Sequence, residues 1–171
     1  MRALHLLCIV ASLSSCRGLQ GARTTPPAQE VRAMLFEPLA SIAGTWELQG
    51  SDGPGERISF QVSSAGSAVR EIMFPGTEHE MTNMYTLDGN SLVMTHYCAG
   101  GNQPHMRATG ITRGSLTFEP EGVSDLSAPD EPYMATMTLV FVDEDHIEEH
   151  WTSMRGNEVD HEMTLRLQRV R

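Results

Sequence analysis

The chain has 171 residues and a formal net charge of −10, from 22 acidic and 12 basic residues. This length suffices for one domain with an apolar core. The acidic balance argues against a nucleic-acid partner, because phosphates require a basic surface. All twelve basic residues are arginine, which excludes Schiff-base chemistry on a lysine.

The first 15 residues have the features of an export signal. Arg2 is followed by an apolar run over residues 3–12, too short to span a bilayer, which takes roughly 20 apolar residues. Leu13-Ser14-Ser15-Cys16 comes next and resembles the bacterial lipobox, whose cysteine receives a diacylglycerol group. We therefore predict a lipoprotein signal peptide at 1–15, acylation of Cys16, and a flexible tether at 16–28.

The predicted anchor sets an expected location. Several acyl chains hold a protein firmly where one binds only marginally. The resemblance to bacterial lipoproteins also implies a location. Because Arg17, and not aspartate, follows the cysteine, we expect the protein at the outer membrane or the periplasmic face of the cell envelope. An ordinary secretory signal, and hence a secreted protein, is the alternative. Acylation of Cys16 leaves Cys98 as a lone thiol, whereas a free Cys16 permits a Cys16–Cys98 disulfide.

After the tether, the hydrophobic pattern changes from a helical period to a period of two. Apolar residues from Val31 to Leu39 predict a short helix within 28–41, which Pro38 is expected to break. From Ala43 on, alternating residues and Gly-rich turns predict an all-β domain over 29–171. We expect an antiparallel up-and-down barrel, with a two-sheet sandwich as the alternative. About ten strands are predicted, near 44–49, 56–63, 67–74, 80–87, 91–98, 105–111, 114–119, 133–142, 146–154 and 158–170.

The segment Gly44-Thr45-Trp46 at the first strand looks like the Gly-x-Trp opening of the calycins, the lipocalins and their relatives. The resemblance implies that Trp46 packs across the closed end of the barrel beneath a basic side chain of the last strand. Arg169 is the candidate by parity, with Arg166 and Arg171 as alternatives. Residues 40–155 also resemble a group of uncharacterised bacterial lipocalin-like proteins, which implies no known chemistry.

The segment from Thr95 to Arg107 is the richest in polar and reactive side chains. On a strand, His96 and Cys98 point to one face and could line a ligand pocket, bind a soft metal or act as base and nucleophile. We favour a pocket or structural role, because two ligands make no zinc site. The predicted ligand-binding residues are polar or soft side chains: Arg70, Tyr85, His96, Cys98, Asn102, Gln103 and Met106.

His161 lies on the apolar parity of the last predicted strand. Nitrobindin-like haem barrels, which are also calycins, place an iron-ligating histidine near the start of such a strand, so haem on His161 is an alternative. After Trp46, however, this chain lacks the Gly-rich continuation of those proteins. An inward histidine bonded to a neighbour is favoured.

Two further patterns are interpreted as structural. The run Glu148-Glu149-His150 is expected on a strand with an outer charged face, and no metal site is predicted there. Ten methionines follow Met1, scattered one or two per strand, which is typical of core packing rather than of a clustered copper site.

These patterns predict an exported, membrane-anchored barrel that binds a small apolar or amphipathic molecule, with the membrane and that ligand as its partners. No catalytic residue and no cofactor is predicted. The alternatives are a haem protein or enzyme using His161 or the His96/Cys98 pair, and an envelope module whose barrel is filled by its own side chains.

Overall fold

A computed structural model describes residues 27–50 and 56–171. The predicted signal peptide, the acylation site Cys16 and most of the tether lie outside these described residues, so those features stay predictions. Within the described ranges, no helix has the length and apolar character needed to cross a membrane.

One helix, α1, runs from Gln29 to Ser41 and contains a π-helical segment at Arg32–Phe36. The expectation that Pro38 breaks it is wrong. Pro38 follows the π segment and occupies the first turn of the α-helical part Glu37–Ser41, where a backbone N–H is not required. The helix lies across one end of the barrel, and Arg32 Nη2 donates to the carbonyl of Gly66 at 2.7 Å.

The rest of the described chain is antiparallel strand. Strand bounds match the predicted alternation closely, except that β6 ends early and β8 continues beyond the predicted residue 119. The strands are β1 Gly44–Leu48, β2 Arg57–Ser63, β3 Ala68–Met73, β4 Met81–Asp88, β5 Ser91–Tyr97, β6 Gln103–Ala108, β7 Ile111–Thr112, β8 Ser115–Ser124, β9 Pro132–Phe141, β10 His146–Arg155 and β11 Glu158–Arg169.

Ten of these strands close into a barrel. β1 pairs with both β2 and β11, and β6 pairs with β8, so the sheet has no open edge there. The two-residue β7 only forms a hairpin with β8. The predicted antiparallel, up-and-down barrel with a short N-terminal helix is therefore confirmed, and the sandwich alternative is wrong.

The barrel has a closed end, covered by α1, and an open end, formed by the connections 74–80, 98–102, 125–131 and 156–157. Trp46 is fully buried at the closed end, and its Nε1 donates to the carbonyl of Ile42 at 2.9 Å. Arg169, its register partner on β11, holds its guanidinium 4.3 Å from the indole centroid. Arg169 also donates to the carbonyl of Ala43 at 3.1 Å, which fixes the cation above the ring.

Apolar side chains fill the closed half. Those of α1 belong to one cluster with inner residues of β1 to β6 and of β8 to β11. The fully buried members include Leu35, Phe36, Leu39, Trp46, Ile58, Phe60, Val69, Leu92, Met94, Met106, Leu116, Phe118 and Leu139.

Candidate functional site

Polar side chains interrupt the apolar interior about halfway along the barrel. Each lies on the inner face of its strand, because alternate residues of a strand point to the same face. All are almost completely buried, and together they form what we term the polar layer: Glu71 on β3, Asn83 and Tyr85 on β4, His96 on β5, and Glu149 and Trp151 on β10.

Two carboxyl groups form the centre of the polar layer. Glu71 Oε2 accepts hydrogen bonds from Asn83 Nδ2 at 2.7 Å and from the Tyr85 hydroxyl at 2.6 Å. Glu149 Oε2 accepts one from Trp151 Nε1 at 3.0 Å. The two carboxyls also lie close enough to share a hydrogen bond, and the Oε1 atom of each accepts none from the other described groups.

A hydrogen bond between two carboxyl groups requires a proton on one of them. Burial raises the pKa of both groups, and the pKa of Glu149 lies well above its usual range because the charge of Glu71 adds to the burial. Glu71 accepts two donors from the ring of neighbours and Glu149 only one. Glu149 is therefore the member that holds the proton and donates it to Glu71.

The hydrogen bonds also set the tautomer of His96. Asn83 donates through Nδ2 to Glu71, so its Oδ1 is an acceptor. His96 Nδ1 lies 2.6 Å from that oxygen and must carry the proton. Burial lowers the pKa of His96 to about 4, so the ring is neutral at physiological pH.

The other ring nitrogen of His96, Nε2, therefore presents a bare lone pair. It is buried and has no hydrogen-bond partner within the described part of the chain. An unsatisfied buried acceptor costs about 1–3 kcal/mol, so its retention calls for an explanation.

His96 faces a small cavity of about 50 Å³ on the open-end side of the polar layer. Apart from the rings of His96 and Trp151, whose centroids are 5.1 Å apart, its walls are apolar. We term it the open-end cavity; its lining is Met73, Phe74, Met81, His96, Met134, Trp151, Met163 and Leu165. It holds more than the roughly 30 Å³ share of one water molecule but less than a benzene-sized cavity of roughly 150 Å³.

A wider groove of about 560 Å³ lies outside the closed end, between α1 and the β9–β10 turn. Ile42, Ile111 and Phe141 form its apolar floor. Its cation is already engaged, because Arg169 donates to two backbone carbonyls and stacks on Trp46. This groove therefore lies at the junction between the helix and the barrel and, among the described residues, offers no unpaired cation to a ligand.

The predicted ligand-binding residues fall in several places. Tyr85 and His96 belong to the polar layer. Met106 is fully buried in the closed half and pairs with Met94 across the sheet. Arg70 is exposed on the outer face of β3, away from the cavity.

The three remaining predicted residues cluster where β5 leads into β6. Cys98 forms no disulfide with any described residue, and its Sγ accepts a hydrogen bond from the Gly100 backbone at 3.4 Å. Asn102 donates to Glu131 Oε1 at 2.7 Å and so ties this turn to the β8–β9 loop. Gln103 donates to the carbonyl of Gly101 at 2.6 Å. These contacts shape the rim of the barrel and do not line the cavity.

His161 pairs with Ser153 on the inner face of β11 at the open end, but its side chain is exposed. It does not line the open-end cavity, and about 50 Å³ does not accommodate a porphyrin. The described arrangement therefore does not fit an enclosed haem. In the described ranges, no group of three or more His, Cys, Asp or Glu side chains is placed to hold a metal.

Sequence reasoning missed four members of the polar layer: Glu71, Asn83, Glu149 and Trp151. The strand has the expected outer charged face, formed by Glu148 and His150, but Glu149 points the other way and is fully buried. The alternation of inward and outward residues along the strand could have identified Glu149 as buried. Glu149 falls between Ile147 and Trp151 on the apolar face of its strand.

Comparison with known proteins supports the fold and adds no activity. No protein-family model and no curated protein matches the chain. The crystal structure of Rv2717c from M. tuberculosis is similar, with a TM-score of 0.51 and 13% sequence identity over 85% of this chain and 100% of that one. At that identity the likeness shows a shared barrel fold alone, which is consistent with a calycin-like architecture.

Proposed function

We propose that the protein is an exported, lipid-anchored barrel that binds a small apolar or amphipathic molecule in the open-end cavity. The observation that carries this proposal is the buried, unpartnered Nε2 of His96, whose ring forms part of the wall of an apolar cavity. A ligand with one O–H or N–H group would donate to that nitrogen, and its apolar part would lie among the methionines. The site thus combines an apolar lining with one polar contact that orients the ligand.

The size of the cavity limits the ligand. About 50 Å³ accepts little more than a few heavy atoms without movement of the walls. Four of the eight lining residues are methionines, whose unbranched side chains rearrange more readily than branched ones. Because the methionines can move apart, we expect the cavity to admit a compact molecule of the size of phenol, which is larger than the cavity as it stands. Long acyl chains are not expected to fit.

Phenol and toluene provide a direct test, because they differ in one hydroxyl group. The wild-type protein should bind phenol about two- to tenfold more tightly, the equivalent of one neutral hydrogen bond. His96→Phe should abolish the difference, whereas His150→Phe, on the outer face, should retain it. Equal affinities for the two compounds in the wild type would contradict the proposed role of His96.

Native mass spectrometry of protein purified from its host tests whether a natural ligand exists. A bound mass that disappears on mild denaturation would support the proposal. The tightly packed closed half is the observation that favours the alternative of a filled barrel without ligand. An apo mass in every preparation, together with no binding of phenol, would establish that alternative.

The haem alternative has its own spectroscopic signature. Haem bound through His161 would give the host-purified protein a Soret band that His161→Ala removes. A colourless protein that takes up no added haemin would eliminate this alternative.

The proposed anchor depends on Cys16 alone. In metabolic labelling, the wild type should incorporate palmitate, and the Cys16→Ser variant should not. A water-soluble mature protein with a Cys16–Cys98 disulfide would contradict the anchor without touching the proposed ligand site.

A further inference from the structure

Four methionines from four different strands meet at the open-end cavity. Met73 and Met81 are register partners on β3 and β4, and Met163 pairs with Trp151 across β10 and β11. Met134 comes from the start of β9, next to Ser153. Sequence spacing indicated scattered core filler, but the closure of the barrel brings these thioethers around one space.

The wall of the same cavity includes the imidazole ring of His96. His96 Nε2 is unprotonated, because Nδ1 carries the proton and donates it to Asn83. Asn83 Nδ2 in turn donates to Glu71 at 2.7 Å and to the sulfur of Met73 at 3.6 Å. A hydrogen bond from the far ring nitrogen, supported by a carboxylate, is how proteins orient a histidine that ligates a metal.

The chemistry of this donor set selects the class of metal. Magnesium and calcium take oxygen ligands, and structural zinc takes cysteine, histidine or carboxylate ligands, none of which lines the cavity except His96. Thioethers and a neutral imidazole are soft to borderline donors that favour Cu(I). The cavity volume of about 50 Å³ suits a bare ion, and the indole of Trp151 in its wall adds an aromatic face next to the charge.

We propose that the open-end cavity is a site for a soft monovalent metal ion, Cu(I), held by His96 Nε2 and the thioether sulfurs around it. Binding involves no redox step, and because Nε2 carries no proton it displaces none. The positive charge enters next to the carboxyl pair of the polar layer, where Glu71 accepts donors suited to an anion. This inference does not depend on the apolar ligand, which would compete for the same space.

Ag(I), a redox-inert substitute for Cu(I), allows the site to be mapped residue by residue. In the protein labelled with ¹³C at its methionine methyl groups, one equivalent of Ag(I) should shift the signals of the cavity methionines Met73, Met81, Met134 and Met163. The signals of Met94 and Met137, buried but outside the cavity, should stay in place and serve as internal controls. Shifts confined to other methionines, or none at all, would overturn the proposal.

Variants then separate metal binding from loss of fold. Met→Leu exchange conserves volume and typically costs less than about 1.5 kcal/mol, so a triple Met73→Leu, Met81→Leu, Met163→Leu variant should remain folded. In anaerobic competition with a chromogenic Cu(I) chelator, this triple variant and His96→Gln should each bind Cu(I) at least about tenfold more weakly. Met94→Leu should bind as the wild type does. If both test variants bind Cu(I) as tightly as the wild type does, the proposal is overturned. This holds even if Cu(I) also binds to cysteine thiols of the protein.

Separate titrations of the wild type distinguish this site from the proposed ligand function. Cu(I) affinity is measured without phenol, and the preference for phenol over toluene is measured without metal. Equal affinities for phenol and toluene together with tight Cu(I) binding would contradict the proposed function and leave the metal site intact.

Discussion

The two halves of the barrel differ in the side chains that fill their interiors. In the closed half, apolar side chains and Trp46 beneath Arg169 fill the interior. From the middle of the barrel towards the open end, two carboxyl groups, an amide, a phenol and an imidazole are buried, and a cavity lies beside them. Buried polar groups cost free energy unless every hydrogen bond is made, and here His96 Nε2 is left unpaired. From this difference we infer that the closed half provides most of the stability, and we propose that the function lies with the buried polar groups and the cavity of the open half.

The largest effect is expected at the closed end. Trp46→Ala removes a fully buried indole and its hydrogen bond to Ile42, which should cost about 3–5 kcal/mol of unfolding free energy. Urea denaturation of the purified protein measures this. Phenol affinity should be unchanged wherever the variant is folded, because Trp46 is remote from the cavity. A loss below about 1 kcal/mol would show that the closed half does not carry the stability assigned to it.

The second effect is a loss of stability in mild acid. The pKa of His96 in the folded protein is about 4, below its ordinary value of 6.5, so the unfolded chain takes up a proton first as the pH falls. The contribution of His96 is complete above pH 6.5 and is lost towards pH 4, to a total of about 3 kcal/mol. The difference in unfolding free energy between wild type and His96→Gln across this range isolates the effect. A constant difference would place the ring in water.

The third effect concerns the hydrogen bonds to Glu71. Tyr85→Phe removes the hydroxyl that donates to Glu71 at 2.6 Å but keeps the ring against Phe118. A hydrogen bond to a charged group contributes about 1.5–3 kcal/mol, and denaturation should show a loss of that size. Tyr97→Phe is the matched control, since Tyr97 is 49% exposed, and should change stability by less than about 0.5 kcal/mol. Equal effects of the two substitutions would contradict the polar layer.

The smallest effect is a change of slope with pH. The pKa of Glu149 is raised in the folded protein, so its favourable contribution is fully present below its ordinary value of 4.5 and declines as the pH rises through the raised pKa. Glu149→Gln keeps a neutral donor for Glu71 and removes this titration. Between pH 5 and pH 9, the variant should therefore lose less stability than the wild type. Parallel curves would mean that Glu149 is not the proton-bearing carboxyl.

The sequence predicted the strands and their order better than the contacts inside the barrel. Alternation and Gly-rich turns placed the strands, and the up-and-down order followed from short connections. Pro38 was misjudged because the π segment before it has no counterpart in a regular helical pattern. The convergence of Met73, Met81 and Met163 depends on strand register around the closed barrel, which a single sequence does not specify.

The buried carboxyls were missed for a different reason. Glutamate is almost never fully buried unless it is paired, and the partner of Glu71 comes from β10, far along the chain. Parity alone marks Glu71 and Glu149 as unusual, since each falls between inward apolar residues of its strand. His96 was selected from sequence for its proximity to Cys98, but the structure partners it with Asn83 instead.

The account depends most directly on the protonation of His96, which nitrogen-15 NMR of the histidine rings reports. At pH 7 we predict a neutral His96 ring with the proton on Nδ1 and a bare Nε2, and a marked shift of the Nε2 resonance on addition of Ag(I) or phenol. The exposed histidines provide the reference signals in the same spectrum. A proton on Nε2, or a charged ring at pH 7, would contradict the hydrogen-bond order of the polar layer and remove the basis of both proposed occupants.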